Sequence, residues 1–373
     1  MCWGCDMGSA IDALLLRAAE LNASDLHISE GKPAVIRVSG ALIVLNASPP
    51  DRNRKREICQ VDGGGYMGLN SFAHFTVAES QNLFSDMEQS VSSLFEEIVP
   101  EKQKGKLKDE GECDFAYEAS SGQRFRINLY HSTDGFNAAV RIISKAVPTC
   151  DALGLPEAIR NFARLQNGLV LITGVTGSGK STTLASIINE INQTRAVHIL
   201  TLEDPVEYKF VSAKSLIHQR EVGSDTQSFA SGLRAALRED PDVIAVGELR
   251  DLETIAIAVT AAETGHLVFA TLHTRSAAET VNRMIDVFPE QQQRQIRVQL
   301  AGSLQAVVSQ QLLPDNQGGR TAAFEIMIVT PALRNLIREG KTQQMESFIQ
   351  TGRQYGMQTM EAAVDQLKKA CII

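Results

Sequence analysis

The chain has 373 residues, which at about 150 residues per domain suggests two domains, or three. Its 43% hydrophobic and 21% charged residues are ordinary globular usage and exclude a disordered, collagen-like or disulfide-scaffold protein. Lys and Arg number 36 against 44 Asp and Glu, a formal net charge of −8, which weighs against a direct nucleic-acid partner, because neutralising phosphates needs a basic excess.

No apolar run approaches the roughly 18 residues that would span a bilayer. The start lacks a basic region followed by an apolar stretch and a small-residue cleavage site. A cytoplasmic protein with no transmembrane segment is therefore the expectation. Six cysteines stand at 2, 5, 59, 113, 150 and 371. Only Cys2 and Cys5 have CxxC spacing, and no second pair or nearby histidine completes a zinc set.

In chain order, Ser9 followed by Asp12 is a capping-box pattern that opens a predicted helix over Ser9–Leu21, with Ile11, Leu14, Leu15, Ala18 and Leu21 on one face. Short strands follow at Leu26–Ile28 and Val35–Val38. Pro49-Pro50, the charged run Asp51–Glu57 and Gly63-Gly64-Gly65 carry no sustained periodicity, so about 46–90 reads as a loop or insertion. Val91–Ile98 returns to helical spacing. Arg124–Leu129 and Ala138–Ile143 read as strands, and Pro148, Gly154 and Pro156 mark a linker over 148–160. The expected organisation is an N-terminal α/β domain at 1–147, that linker, a second α/β core at 161–330 and a helical region at 331–373.

From Gly168 strand-length apolar runs alternate with helix-length segments: Leu169–Thr173, Val197–Thr201, Val243–Val246 and Leu267–Leu272. That rhythm predicts a parallel sheet with helices on its faces. Near the end, Thr330 and Pro331 begin a predicted helix and Gly340 stops it. Leu333, Leu336 and Ile337 share its inner face, leaving Arg334, Asn335, Arg338 and Glu339 outward.

Gly174-Val175-Thr176-Gly177-Ser178-Gly179-Lys180-Ser181 matches G-x-x-x-x-G-K-[ST] between a strand and the helix-forming stretch Thr182–Asn192. Glycines let the backbone wrap so that its N–H groups face phosphates. Lys180 adds a charge at the β- and γ-phosphates, and Ser181 can reach Mg²⁺. Val243–Val246 ends in Gly247-Glu248, which puts a carboxylate at the edge where open α/β sheets bind ligands. Glu203, Asp204 and Glu207 crowd the end of another strand. Glu207 is a candidate to orient and deprotonate water, the alternative being a solvated turn. His266 and His273 flank Leu267–Leu272. As a strand that run separates them by about 23 Å, too far to share a metal. His273, at the C-terminal end, is a candidate γ-phosphate sensor.

Together these segments resemble the secretion ATPase superfamily of type II secretion and type IV pili. The matching boxes are the P-loop at 174–181, LEDPVEY at 202–208, DVIAVGELRD at 242–251 and AETGHLVFATLHT at 262–274. Finer matches, SDLHIS at 24–29, ALRNLIREGK at 332–341 and GMQTM at 356–360, are similar to its pilus retraction group. The resemblance implies a PAS-like N-terminal domain, a RecA-like ATPase domain with a parallel sheet and C-terminal helices, ATP and Mg²⁺, and a homo-hexameric ring. It implies an inner-membrane pilus platform protein as partner, with the ring peripherally associated with the inner membrane at the pilus base. It places Gly174, Thr176, Gly177, Ser178, Gly179, Lys180, Ser181 and Thr182 on nucleotide. Ser181 and Glu248 would hold Mg²⁺, partly through water. Glu207, Glu248, His273 and Lys180 would serve catalysis, and Arg126, Arg141 and Arg220 would reach nucleotide near subunit boundaries. Accessory retraction, pilus assembly and type II secretion ATPases share this pattern. A non-catalytic ring subunit and a small-molecule kinase are the readings outside it.

Overall fold

Ile11, Leu14, Leu15 and Ala18 recur at i, i+3, i+4 and i+7, and all four are buried on helix α1, Ala10–Glu20. The computed structural model describes residues 10–38, 40–45, 91–143 and 146–373. Ser9, Cys2, Cys5 and the expected insertion at about 46–90 lie outside the described residues. The chain divides into two units, Met1–Ile143 and Ser144–Ile373.

The first unit carries a six-stranded sheet in the order β3-β2-β1-β6-β5-β4, with every pairing antiparallel. Its strands are β1 Asp25–Ser29, β2 Val35–Val38, β3 Ala41–Val44, β4 Glu112–Glu118, β5 Arg124–Ser132 and β6 Gly135–Ile143. Phe125, Ile127 and Leu129 alternate inward along β5 and pack with α1 and Phe95. Helices α2, Val91–Phe95, and α3, Glu101–Glu110, precede β4. The sequence reading had no place for α3, because EKQKGKLKDE buries no residue and has no apolar period to detect.

The second unit is a seven-stranded sheet in the order β13-β12-β7-β11-β10-β8-β9. Its strands are β7 Gly168–Thr173, β8 His198–Glu203, β9 Leu216–Glu221, β10 Val243–Val246, β11 Leu267–Leu272, β12 Leu304–Pro314 and β13 Arg320–Ile328. All neighbours pair in parallel except β12 and β13. Leu169 and Leu171 enter one apolar cluster while Val170 and Ile172 enter another. β7 is thus buried on both faces, which is why its sequence is a continuous apolar run rather than an alternation. The segment expected as a linker at 148–160 is instead part of this core. Cys150, Leu155 and Ile159 are buried against Ile187 and Ile188, and Glu157–Arg160 forms α4. Pro148, Gly154 and Pro156 punctuate turns there, but the apolar residues between them pack.

The remaining helices are α5 Lys180–Thr194, α6 Phe229–Ala236, α7 Leu252–Glu263, α8 Ala277–Asp286, α9 Glu290–Ser303, α10 Pro331–Glu339, α11 Met345–Thr351 and α12 Met360–Lys369. α10 begins at Pro331 and ends at Gly340 with φ 71°, and Leu333, Leu336 and Ile337 are buried. Arg334 departs from the outward face expected for it. It donates to the carbonyls of Ala301 (2.5 Å) and Gly302 (2.8 Å) and to Gln305 Oε1 (3.1 Å). Those carbonyls end α9, where partners within the helix run out and a cation is favoured. Among the described residues no helix is long and apolar enough to cross a membrane.

Candidate nucleotide site

Strands β7, β8, β10 and β11 run parallel, so their C-terminal ends share one edge of the sheet. Just beyond those ends stand the P-loop, the acidic turn, Glu248 and His273. The topology therefore gathers groups spread over a hundred residues of sequence.

The P-loop is held by its own backbone constraints. Gly174 has φ 147°, and a Cβ there would run into the Gln310 carbonyl oxygen. Gly179 has φ 87°, and its Cβ would lie 2.8 Å from Gln310 Nε2. A side chain at Gly174 would collide with backbone, and one at Gly179 would be strained by its left-handed φ and would displace the Gln310 amide. Lys180 is buried at the start of α5, and its Nζ donates to the carbonyls of Gly174 (2.7 Å) and Val175 (3.1 Å). Burial pushes the Lys180 ammonium down, opposed by the charges of Glu248 and Glu207. Ser181 is exposed on the first turn of the helix, and Thr182 Oγ1 lies 3.1 Å from the Tyr208 hydroxyl.

A chain of contacts joins the loop to β10. Thr176 Oγ1 is 3.4 Å from His273 Nδ1, and His273 Nε2 is 3.2 Å from Glu248 Oε1. Glu248 Oε2 is 2.8 Å from Arg250. Burial works to raise the Glu248 carboxyl, but the Arg250 hydrogen bond and the facing His273 outweigh it and hold Glu248 below the usual range. Glu248 is thus ionised. Its carboxylate and the exposed Ser181 hydroxyl are hard oxygens, the kind of donor Mg²⁺ takes, usually with only one or two protein carboxylates. Ser178 Oγ is buried with no hydrogen-bond partner, an orphaned polar atom within the loop that fits a polar ligand. A cleft of about 430 Å³ borders the loop, with Arg275, Gln311, Leu312 and Arg320 in its walls.

The acidic turn is built by β9. Gln219 donates to Glu203 Oε1 (3.0 Å) and to the Tyr208 carbonyl (2.8 Å), and accepts from the Phe210 N–H (2.8 Å). Glu221 accepts from the Val206 N–H at 3.0 Å. The Asp204–Pro205 peptide is cis. Glu207 projects from this turn and is exposed. Glu203 points back into the sheet, where burial raises its carboxyl. His266 lies at the far end of β11, with Nδ1 3.0 Å from the Ala261 carbonyl at the end of α7.

The three arginines expected near nucleotide have carboxylate partners. Arg126 pairs with Asp114 and Arg141 with Asp25 in the first unit. Arg220 pairs with Glu239 at 2.7 Å. β9 is four strand positions from β7, about 19 Å at ordinary spacing, so Arg220 is not beside the P-loop of its own chain. Three residues had no place in the sequence reading: Gln310, Arg250 and Gln219. Arg250, two residues beyond Glu248, offered only its charge as a signal. Gln310 follows the apolar residues Ala306–Val308 on a buried strand, where a polar residue needs a partner.

Residues 106–371 match the family model for the type II/IV secretion system protein. The chain belongs to that family. A type IV pilus retraction ATPase of Pseudomonas aeruginosa, PilT, is 44% identical over 96% of this chain and 93% of its own length. The Escherichia coli K12 protein YggR is 53% identical over 94% of this chain and 96% of its own. The crystal structure of the pilus retraction motor PilT with bound ADP superimposes with a TM-score of 0.79 at 42% identity, covering 97% of this chain and 94% of that one. The family's two-domain α/β ATPase fold accounts for both sheets, and all four boxes lie within the matched residues 106–371.

Proposed function

We propose that this chain is a Mg²⁺-dependent ATPase whose hydrolysis drives type IV pilus retraction, working as a cytoplasmic homo-hexamer against the platform protein at the pilus base. The supporting observation is the P-loop, acidic turn, Glu248 and His273 at one sheet edge, in a chain that resembles a retraction ATPase over nearly its whole length. The backbone N–H groups of Gly174–Ser181 and the Lys180 ammonium bind the phosphates. Ser181 and Glu248 would hold Mg²⁺, which would supply positive charge for the phosphoryl oxygens. Glu207 accepts the proton of the attacking water, its exposed carboxylate being available to solvent. His273 reports the γ-phosphate to Glu248 through the contacts between them. Arg126, Arg141 and Arg220 reach nucleotide across subunit boundaries by exchanging their carboxylate partners for phosphate.

The test is purified turnover beside cell imaging. Wild type should hydrolyse ATP with Mg²⁺, Lys180→Ala should not, and a deletion strain should accumulate excess pili. Turnover without excess pili on deletion would reassign the motor to assembly, accessory or secretion work. No turnover by wild type would remove the enzyme reading.

A further inference from the structure

Gln310 lies on β12, buried to 3% exposure, beside the strand that leads into the P-loop. Its two amide atoms make two different bonds. Nε2 donates to the Ser178 carbonyl at 2.7 Å, and Oε1 accepts from the Thr183 hydroxyl at 2.8 Å. Ser178 offers only a carbonyl oxygen here, so the atom facing it must be the amide NH₂, and the amide oxygen then faces Thr183. The orientation follows from the partners.

We infer that Gln310 is a positioning residue that sets the direction of the Ser178–Gly179 peptide. In a trans peptide the carbonyl and the next N–H point to opposite sides. Fixing the Ser178 oxygen on Gln310 therefore turns the Gly179 N–H away from β12, toward the inner side of the loop. Gly179, at φ 87°, has no Cβ to resist rotation of that peptide. Something outside the loop has to hold it, and Gln310 is the group in contact. Thr183 completes the arrangement. Its hydroxyl holds the amide oxygen, so the amide cannot turn its oxygen toward the Ser178 carbonyl. The inference rests on the loop being the phosphate seat of the proposed ATPase. There the Gly179 N–H is a charge-assisted donor to phosphate, and such bonds gain most from being prearranged.

Binding of the fluorescent analogue mant-ADP with Mg²⁺ tests it, measured on the full chain together with the thermal midpoint of the protein alone. Gln310→Met keeps the length and loses both bonds. It should weaken binding by about 10–100-fold, the range of one charged hydrogen bond. Gln310→Glu should be weaker still, because its carboxylate faces the Ser178 carbonyl and repels it. In ATP turnover the loss should fall mainly on KM, measured well below a nucleotide-free midpoint that itself drops because the buried Ser178 carbonyl and Thr183 hydroxyl lose their partner. Binding by Gln310→Met within twofold of wild type overturns the inference. Failure of wild type itself to bind overturns the nucleotide reading instead. Should the Gln310 variants not fold, Thr183→Val removes only the hydroxyl that orients the amide. Binding should then weaken several-fold, and unchanged affinity there also overturns the inference.

Discussion

Three glutamates close on the P-loop edge, and their surroundings separate their tasks. Glu207 is exposed on the acidic turn. Glu248 is held ionised between Arg250 and His273. Glu203 turns inward onto Thr201 and Gln219. Glu207→Ala and Glu248→Ala should each bind nucleotide yet hydrolyse it at least ~100-fold more slowly, the scale of general-base loss. Normal single-turnover hydrolysis in Glu207→Ala would exclude it as the base. Glu203 titrates in the other direction. Its folded carboxyl is raised by burial, so its contribution to stability is fully present below the unfolded value of about 4.3 and declines as pH rises through the folded value. Glu203→Gln should therefore flatten the decline of the thermal midpoint above pH ~4. A variant whose midpoint falls as steeply as wild type would show that Glu203 does not govern it.

α10 shows how far an element could be read before its neighbours were known. Its start at Pro331, its stop at Gly340 and its buried Leu333, Leu336 and Ile337 all follow from local spacing. Arg334 did not, because its partners are carbonyls of α9 some thirty residues earlier. No period within a helix encodes a neighbour's end. For the same reason the P-loop and the strands that carry the acids were legible, since each is a contiguous run. Gln310 was not, being defined by contacts with residues 127 and 132 positions away. β9 and α3 escaped for want of an apolar period. The consequence for α10 is a split between neighbouring charges. Arg334→Ala should lower stability by about 1–2 kcal/mol in urea titration, discounted because the guanidinium is partly in water. Glu339 is exposed and pairs with Lys341 across 2.7 Å. Glu339→Ala should leave ATPase activity within about twofold, surface changes being usually small. If the outer face of α10 couples the motor to the pilus machinery, retraction in that strain should nevertheless fail; normal retraction would leave α10 a purely structural helix.

A head-to-tail contact between copies closes into a ring when the rotation permits, and each interface then joins two different surfaces. That geometry allows complementation between defective chains. An Arg126→Ala/Arg141→Ala double variant, inactive alone, should recover part of its activity when mixed with Lys180→Ala, because some interfaces receive both intact halves. No recovery in mixtures whose exchange is verified would place the arginines outside the shared sites, and light scattering that found only monomer with ATP and Mg²⁺ would exclude the ring. Within one copy, β12 and β13 pair from Ala306↔Ile328 to Pro314↔Arg320. Ile326 exchanges two backbone bonds with Gln358, at 2.9 and 3.2 Å, and Asn316 at the hairpin tip donates to the carbonyls of Ile372 and Cys371. The ladder bonds lie across the strands, so tension along the strands loads them side by side, as shear, rather than one after another as in a zipper. A pull on the C-terminal segment therefore meets a stiff rod alongside the strand that carries the phosphate loop. Amide exchange over Ala306–Leu313 should accordingly slow as one block, whereas patchwise exchange would mean that the hairpin yields in pieces and cannot carry load.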